Sequence, residues 1–300
     1  MQSAWRRVYT ALALAFYRLA AKGWLPARWF EPDLPVPGER AGRTGRLTVE
    51  VVSHCWQYSH FLAYQLSSLV TFPPQSVDVI MTVFYCPEDE GTQRLLEYFE
   101  QQAPPGVTWN WWPLDRHELF RRGIGRSRAA LATRADWVWF TDCDLMFRED
   151  CFQRLGEQLQ CRRDALLFPR EERVTELLTD DNPMLSAGNG APAILDIGDV
   201  GFIPHYPSRA TGPLQIAHGD VCRAVGYCRR IGLYQQPVES FAKCHEDRAF
   251  RWLIRSQGAA IDVPGVYRIR HVSKGRYSGS EANTRLRTLL RRFQEWRKNR

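Results

Sequence analysis

The pattern of apolar and polar positions changes period repeatedly between residues 47 and 141. "LTVEVVS" (47–53) and "VDVIMTVFY" (77–85) are short apolar runs rich in β-branched residues, and "VTWNWW" (107–112) and "DWVWFT" (136–141) continue the series of predicted strands. Between them, "SHFLAYQLSSLV" (59–70), "EGTQRLLEYFEQQ" (90–102) and "GRSRAALATRA" (125–135) carry helical spacing. Strand and helix in alternation imply crossover units, hence an α/β fold with a mainly parallel central sheet and helices on both faces. Ligands of such sheets sit beyond the carboxyl ends of the strands, here near Ser53 to Trp56, Tyr85 to Cys86 and Asp142 to Asp144.

The second half is less regular. Residues 170 to 234 are rich in Gly and Pro with weak periodicity, apart from a predicted helix around Gly219 to Gly226. "HEDRAFRWLIRSQG" (245–258) restores a helix with Gly258 as its stop, and "AAIDVPG" (259–265) predicts a short strand. No internal repeat and no clear second domain are visible. The expected organisation is a basic amphipathic segment over 1–30, a Pro/Gly-rich linker over 31–46, one main α/β domain over 47–275 with an irregular C-terminal half, and a basic C-terminal helix over 276–300.

Charge separates the ends from the middle. Of the net +7, residues 1–30 contribute +5 (five Lys/Arg, no acid) and residues 281–300 another +5 (seven Lys/Arg, two Glu), which leaves −3 for the rest. A basic excess confined to the termini argues against a nucleic-acid groove and for contact of the ends with an anionic surface. A helix over the start places Trp5, Val8, Leu12, Ala15 and Leu19 on one side, and one over the end does the same with Leu286, Leu289, Leu290, Phe293 and Trp296. Such ends suit either an anionic membrane surface or packing on the domain. The first segment imitates a signal peptide, but Arg18 and Lys22 interrupt it, and it is too short to span a bilayer. Eight cysteines without a CxxC pair suggest reduced thiols in a cytoplasmic protein; Cys222, Cys228, Cys244 and His245 fit no standard zinc spacing.

The chemistry concentrates in "WVWFTDCDLMF" (137–147), where an apolar strand runs into Asp142 and Asp144. Placing two carboxylates at the end of a buried strand is costly unless a positive charge meets them. A turn there would aim both at one pocket, where oxygen ligands suit Mg²⁺ or Mn²⁺ and the cation in turn suits a diphosphate. About 100 residues on, Glu246 and Asp247 open a predicted helix, where acids also serve simply as N-terminal residues.

In this order, the first strand with "SHCWQYSHFLAYQLSSL", the "GRSRAALATRADWVWFTDCDLMF" block, "PLQIAHGDVCRAVGYC" and "HEDRAFRWLIR" resemble the nucleotide-sugar glycosyltransferases of the GT-A fold, most of all glycosyltransferase family 2. The resemblance implies metal-dependent transfer of a sugar from a UDP- or GDP-sugar to a glycan or glycolipid hydroxyl, with inversion favoured. It assigns the metal to Asp144, with Asp142 assisting or holding the ribose and His271 closing the coordination sphere. It makes Asp247 the general base, Glu246 its acceptor-orienting neighbour, and Arg126 and Arg128 the basic segment facing the nucleotide. The first strand departs from the family in ending with His54, Cys55 and Trp56, and the second in ending "VFYCPEDEG", so His54 and Trp56 become candidate donor-binding residues, with Trp56 and Tyr58 candidates for stacking on the base. Competing readings are a haloacid-dehalogenase-type phosphatase, a nucleotidyltransferase and a non-catalytic membrane-surface adaptor. Against the phosphatase, Leu145 and Met146 follow the acids; against the nucleotidyltransferase, a Gly-rich, Lys-bearing phosphate loop is missing.

Overall fold

The computed structural model describes residues 2–179, 182–188, 190–196, 198, 201–241 and 245–271. The predicted C-terminal helix and Cys244 lie outside the described residues. The chain opens with helix α1 (Gln2–Leu19), which runs through a π-helical turn (Ala20–Trp24) broken at Gly23. It then forms β1 (Leu47–Cys55), α2 (Ser59–Thr71), β2 (Val77–Tyr85), α3 (Glu90–Glu100) and β3 (Val107–Pro113). Two helices, α4 (Arg116–Leu119) and α5 (Arg122–Ala132), precede β4 (Trp137–Phe140) and β5 (Leu145–Phe147). The remainder comprises α6 (Cys151–Leu159), β6 (Leu166–Pro169), β7 (Glu172–Thr175), α7 (Pro183–Ala187), β8 (Phe202–His205), β9 (Gln215–His218), α8 (Gly219–Val225), α9 (Glu246–Leu253), β10 (Ala259–Ile261) and β11 (Val266–Arg268).

Seven strands form the main sheet in the order β10-β6-β9-β4-β1-β2-β3. β4, β1, β2 and β3 are mutually parallel, β9 runs antiparallel between β4 and β6, and β10 pairs parallel with β6. Strand β1 is buried along nearly its whole length, as a strand covered by helices on both faces must be. The aromatic strand β3 lies at the edge and is half-buried. A second sheet, β5-β11-β7-β8, stands beside the carboxyl end of β4. It arises where the sequence shows only weak periodicity, because its strands are three or four residues long and pair across large separations.

The segment predicted as a linker is pinned to the domain. Arg40 is buried and donates to the Arg163 carbonyl at 2.8 Å, and the Ala41 amide donates to Asp220 at 2.8 Å.

Helix α5 carries two glycines where a side chain would collide. A Cβ on Gly123 would come within 2.6 Å of the Tyr234 carbonyl oxygen, and one on Gly125 within 2.3 Å of His54 Nε2. Glycine inside a helix costs about 1 kcal/mol against alanine. Gly125 secures a close approach of α5 to β1 and β2, Gly123 one to the segment that carries Tyr234, and together they seat the arginines of α5 at the end of β4.

Candidate functional site

At the end of β4 the chain turns, because the Leu145 amide donates to the Asp142 carbonyl at 3.2 Å and closes Asp142 to Leu145 into a tight reversal. The reversal lifts the two acids out of strand alternation and gives them different partners. Asp142 Oδ1 forms an ion pair with Arg122 and lies 3.4 Å from Arg126 Nη2. Asp144 is buried, and its Oδ2 lies 3.9 Å from His271 Nε2. His271 is itself buried against Phe61, at a ring separation of 4.1 Å, and Tyr58, at 5.5 Å. The Asp144 carbonyl accepts from the Ile269 amide at 2.9 Å, so the segment after β11 and the acidic turn are fastened together.

Arg126 is fully enclosed. It donates to Tyr227 Oη (2.9 Å), the Thr141 carbonyl (3.1 Å) and the Gly212 carbonyl (3.3 Å) besides Asp142. Burial disfavours its charge, but Tyr227 and Asp142 outweigh that and hold its pKa above the ordinary value. Tyr227 donates onward to Gln215 Oε1 at 2.7 Å, and burial keeps its phenol well above the usual range, hence protonated. Gln215 Nε2 donates to the Asp247 carbonyl at 3.2 Å. A continuous polar chain therefore joins the Asp142 carboxylate, through Arg126, Tyr227 and Gln215, to the first turn of α9.

That first turn presents its two acids differently. Asp247 keeps 30% of its side chain exposed and pairs with Arg251 at 3.2 Å. Glu246 turns inward and is buried, its carboxyl carbon 3.4 Å from where a Cβ on Gly123 would stand. Its charge adds, after Tyr227 and Asp142, to the influences that raise the Arg126 pKa.

The other expected residues fall as follows. Arg128 leaves the acidic turn and pairs with Glu118 of α4 at 2.5 Å, on a partly exposed face. The difference has a helical cause: Arg122 and Arg126 are one turn apart and share a face, whereas Arg128 points elsewhere. His54 is buried and stacks on Phe84 at 5.0 Å, beneath α5. Burial and the nearby Arg126 and Arg122 hold its pKa well below the usual range, against the pull of Asp142, so the ring is neutral. Trp56 is half-buried, edge-on to Phe120 at 5.6 Å, while Tyr58 is buried against His271. Of the acids after β2, Asp89 caps α3 and Glu88 pairs with Arg116 at 3.2 Å.

Sequence reasoning missed Arg122, Gln65 and Tyr227. Gln65 of α2 is buried and donates to the carbonyls of Asp142 (3.1 Å) and Leu145 (2.8 Å), gripping both ends of the acidic turn while accepting from Ser53. Its signal was a polar residue in the middle of an apolar helix. Arg122, 30% exposed at its side chain, is also stacked over Phe241 at 5.5 Å.

Among the described residues no group of three or more His, Cys, Asp and Glu side chains gathers to hold a metal. Asp144 with His271 offers one carboxylate oxygen and one imidazole nitrogen, a donor pair that could hold a divalent ion only if it draws its remaining ligands from elsewhere. A cavity of about 380 Å³ lined by Ser59, Gly91, Arg94 and Gly188 includes none of these groups.

No protein-family model matches the sequence, and no curated protein does. Two solved structures are similar over most of the chain. One is TarS from S. aureus (residues 1–349), at 12% identity and a TM-score of 0.42, over 76% of this chain and 58% of that one. The other is the mannosyltransferase PcManGT from Pyrobaculum calidifontis in complex with GDP-Man and Mn²⁺, at 16% identity and a TM-score of 0.42, over 90% of this chain and 68% of that one. The chain thus spans less than two thirds of the first structure's length.

Proposed function

We propose that this chain is a metal-dependent glycosyltransferase that moves a sugar from a UDP- or GDP-sugar to a hydroxyl of a glycan or glycolipid, with inversion, in the synthesis of a surface polysaccharide or glycolipid. The observation that carries the reading is the acidic turn after β4, faced by two arginines of α5 and tied by one polar chain to Asp247. It is an arrangement in which a donor held at one end and a base at the other share a rigid frame.

Arg122, on the rim, takes the diphosphate oxygens by bidentate donation. Asp142 accepts from the ribose hydroxyls, and the buried Arg126 holds that carboxylate in place. A divalent ion, Mn²⁺ or Mg²⁺, held by Asp144 and His271 with Asp142 beside it, would offset the charge that grows on the departing diphosphate. Asp247 takes the proton of the acceptor hydroxyl as its oxygen bonds to the anomeric carbon and the bond to the diphosphate breaks, a contribution of roughly 10² to 10⁴ in rate. Glu246, buried next to α5, fixes the start of α9 and thereby the aim of Asp247.

A cytoplasmic setting accords with Cys55 and Cys143, which neighbour each other as buried free thiols, Cys143 within the acidic turn. The test is a thermal-shift screen of nucleotide sugars with and without manganese. One nucleotide class is expected to raise the melting temperature only with the metal, and no response to any member would overturn the reading.

A further inference from the structure

Helix α1 presents an apolar face that the described chain leaves uncovered. Trp5, Tyr9 and Leu12 are 73%, 69% and 66% exposed, and together with Val8, Phe16 and Leu19 they cover an arc of about 100° at the helical repeat. The opposite side is occupied. Ala13, Leu14 and Tyr17 pack against the domain, Tyr17 meeting Tyr234 at 6.1 Å. Trp24 and Trp29 follow, 79% and 67% exposed. Of the thirteen large hydrophobic side chains exposed among the described residues, eight lie between Trp5 and Trp29, so this is a patch and not scatter.

The charge around it selects the partner. Residues 1–30 hold five Lys/Arg and no acid, and Arg18, Lys22 and Arg28 are exposed. A second copy would set like charge against like charge. Tryptophan and tyrosine, with an apolar body and a polar edge, favour the headgroup level of a bilayer, and the cations favour anionic headgroups. No described helix is long and apolar enough to cross a membrane, so the helix would lie in the surface. We infer that α1, with Trp24 and Trp29, docks this protein onto an anionic lipid bilayer.

Docking has a consequence for the site. The segment after α1 is bolted to α9: Trp252 Nε1 donates to the Leu25 carbonyl at 3.0 Å, and Phe30 packs on Trp252 at 4.9 Å. The bilayer thus approaches along the flank of the helix that bears Asp247. On the glycosyl-transfer reading, from which this last step follows, the acceptor hydroxyl belongs to a molecule carried at that surface.

The experiment is co-sedimentation of the full chain with phosphatidylcholine vesicles, with and without phosphatidylglycerol, at low and high salt. Binding is expected only with phosphatidylglycerol and to weaken with salt. The double substitution Trp5→Glu/Leu12→Glu should lower partitioning at least about tenfold while leaving the melting temperature and donor binding in solution unchanged. Trp24→Ser, beyond the end of α1, should lower it severalfold. Undiminished vesicle binding by these variants, or wild-type protein that self-associates and ignores vesicles, would overturn the inference. Wild-type protein that binds vesicles but no nucleotide sugar supports the docking and overturns only the transfer reading.

Discussion

Arg126 reaches Asp142 from inside the protein, its Nη2 3.4 Å from the same carboxylate oxygen that Arg122 engages from the rim. One carboxylate between a buried and a half-exposed cation separates a structural partner from a functional one. Replacing Arg126 with Met should cost about 3–5 kcal/mol of stability, because the polar groups it serves lose their enclosed partner. Arg122→Ala should change stability by less than about 1 kcal/mol and weaken donor binding instead. Denaturant melts and nucleotide-sugar titrations of the two variants distinguish the roles; a strongly destabilised Arg122 variant would contradict the assignment.

Gly125→Ala should damage the site through packing alone. Its Cβ would meet His54 Nε2 at 2.3 Å and Phe84 at 3.0 Å, and both neighbours are buried. Overpacking of this kind costs about 1–3 kcal/mol and would push α5, with its arginines, away from the acidic turn. The expected result is a lower melting temperature together with weaker donor binding; an unchanged melting temperature would show that α5 has room to move.

His54 gives the fold a pH dependence. Burial lowers its folded-state pKa, so the unfolded chain binds the extra proton first and the stability from this group is complete above about pH 6.5. It declines as pH falls from there toward the folded-state value, by at most about 1.4 kcal/mol per pH unit for one proton. His218, lowered in the same direction by burial, adds to the slope. Stability measured by urea melts between pH 5 and about 7 should therefore fall with acid, and His54→Phe should flatten the fall. An unaltered slope in that variant would contradict the assignment.

Asp247→Asn separates binding from chemistry. The substitution preserves the backbone carbonyl that Gln215 grips, so the donor should bind as before. Transfer to the acceptor should drop by about 10² to 10⁴, the range for loss of a general base. Wild-type turnover in this variant would remove Asp247 from its role.

The parallel half of the sheet was readable because its strands and helices are long enough to show a period: β1 and β2 are nine residues each and α2 thirteen. β7, β8 and β9 are four residues each, too short for alternation to show, and β9 enters the sheet antiparallel after a long excursion. The acids of the turn were legible from the aromatic strand that delivers them. Arg122 was not, because an arginine at a helix start looks like a solvated charge until Asp142 is placed beside it. Tyr227 and Gln215 act through contacts between distant segments, which no local pattern encodes. Gln65 was the exception, since a buried helix keeps a central glutamine only where its amide has partners.

The most direct test of the central claim is calorimetric titration of a nucleotide sugar into wild-type protein and Asp144→Ala, with and without manganese. Wild-type binding is expected to need the metal, and the variant to lose that binding by at least about tenfold while remaining folded. Manganese-dependent donor binding in Asp144→Ala equal to that of wild type would contradict it.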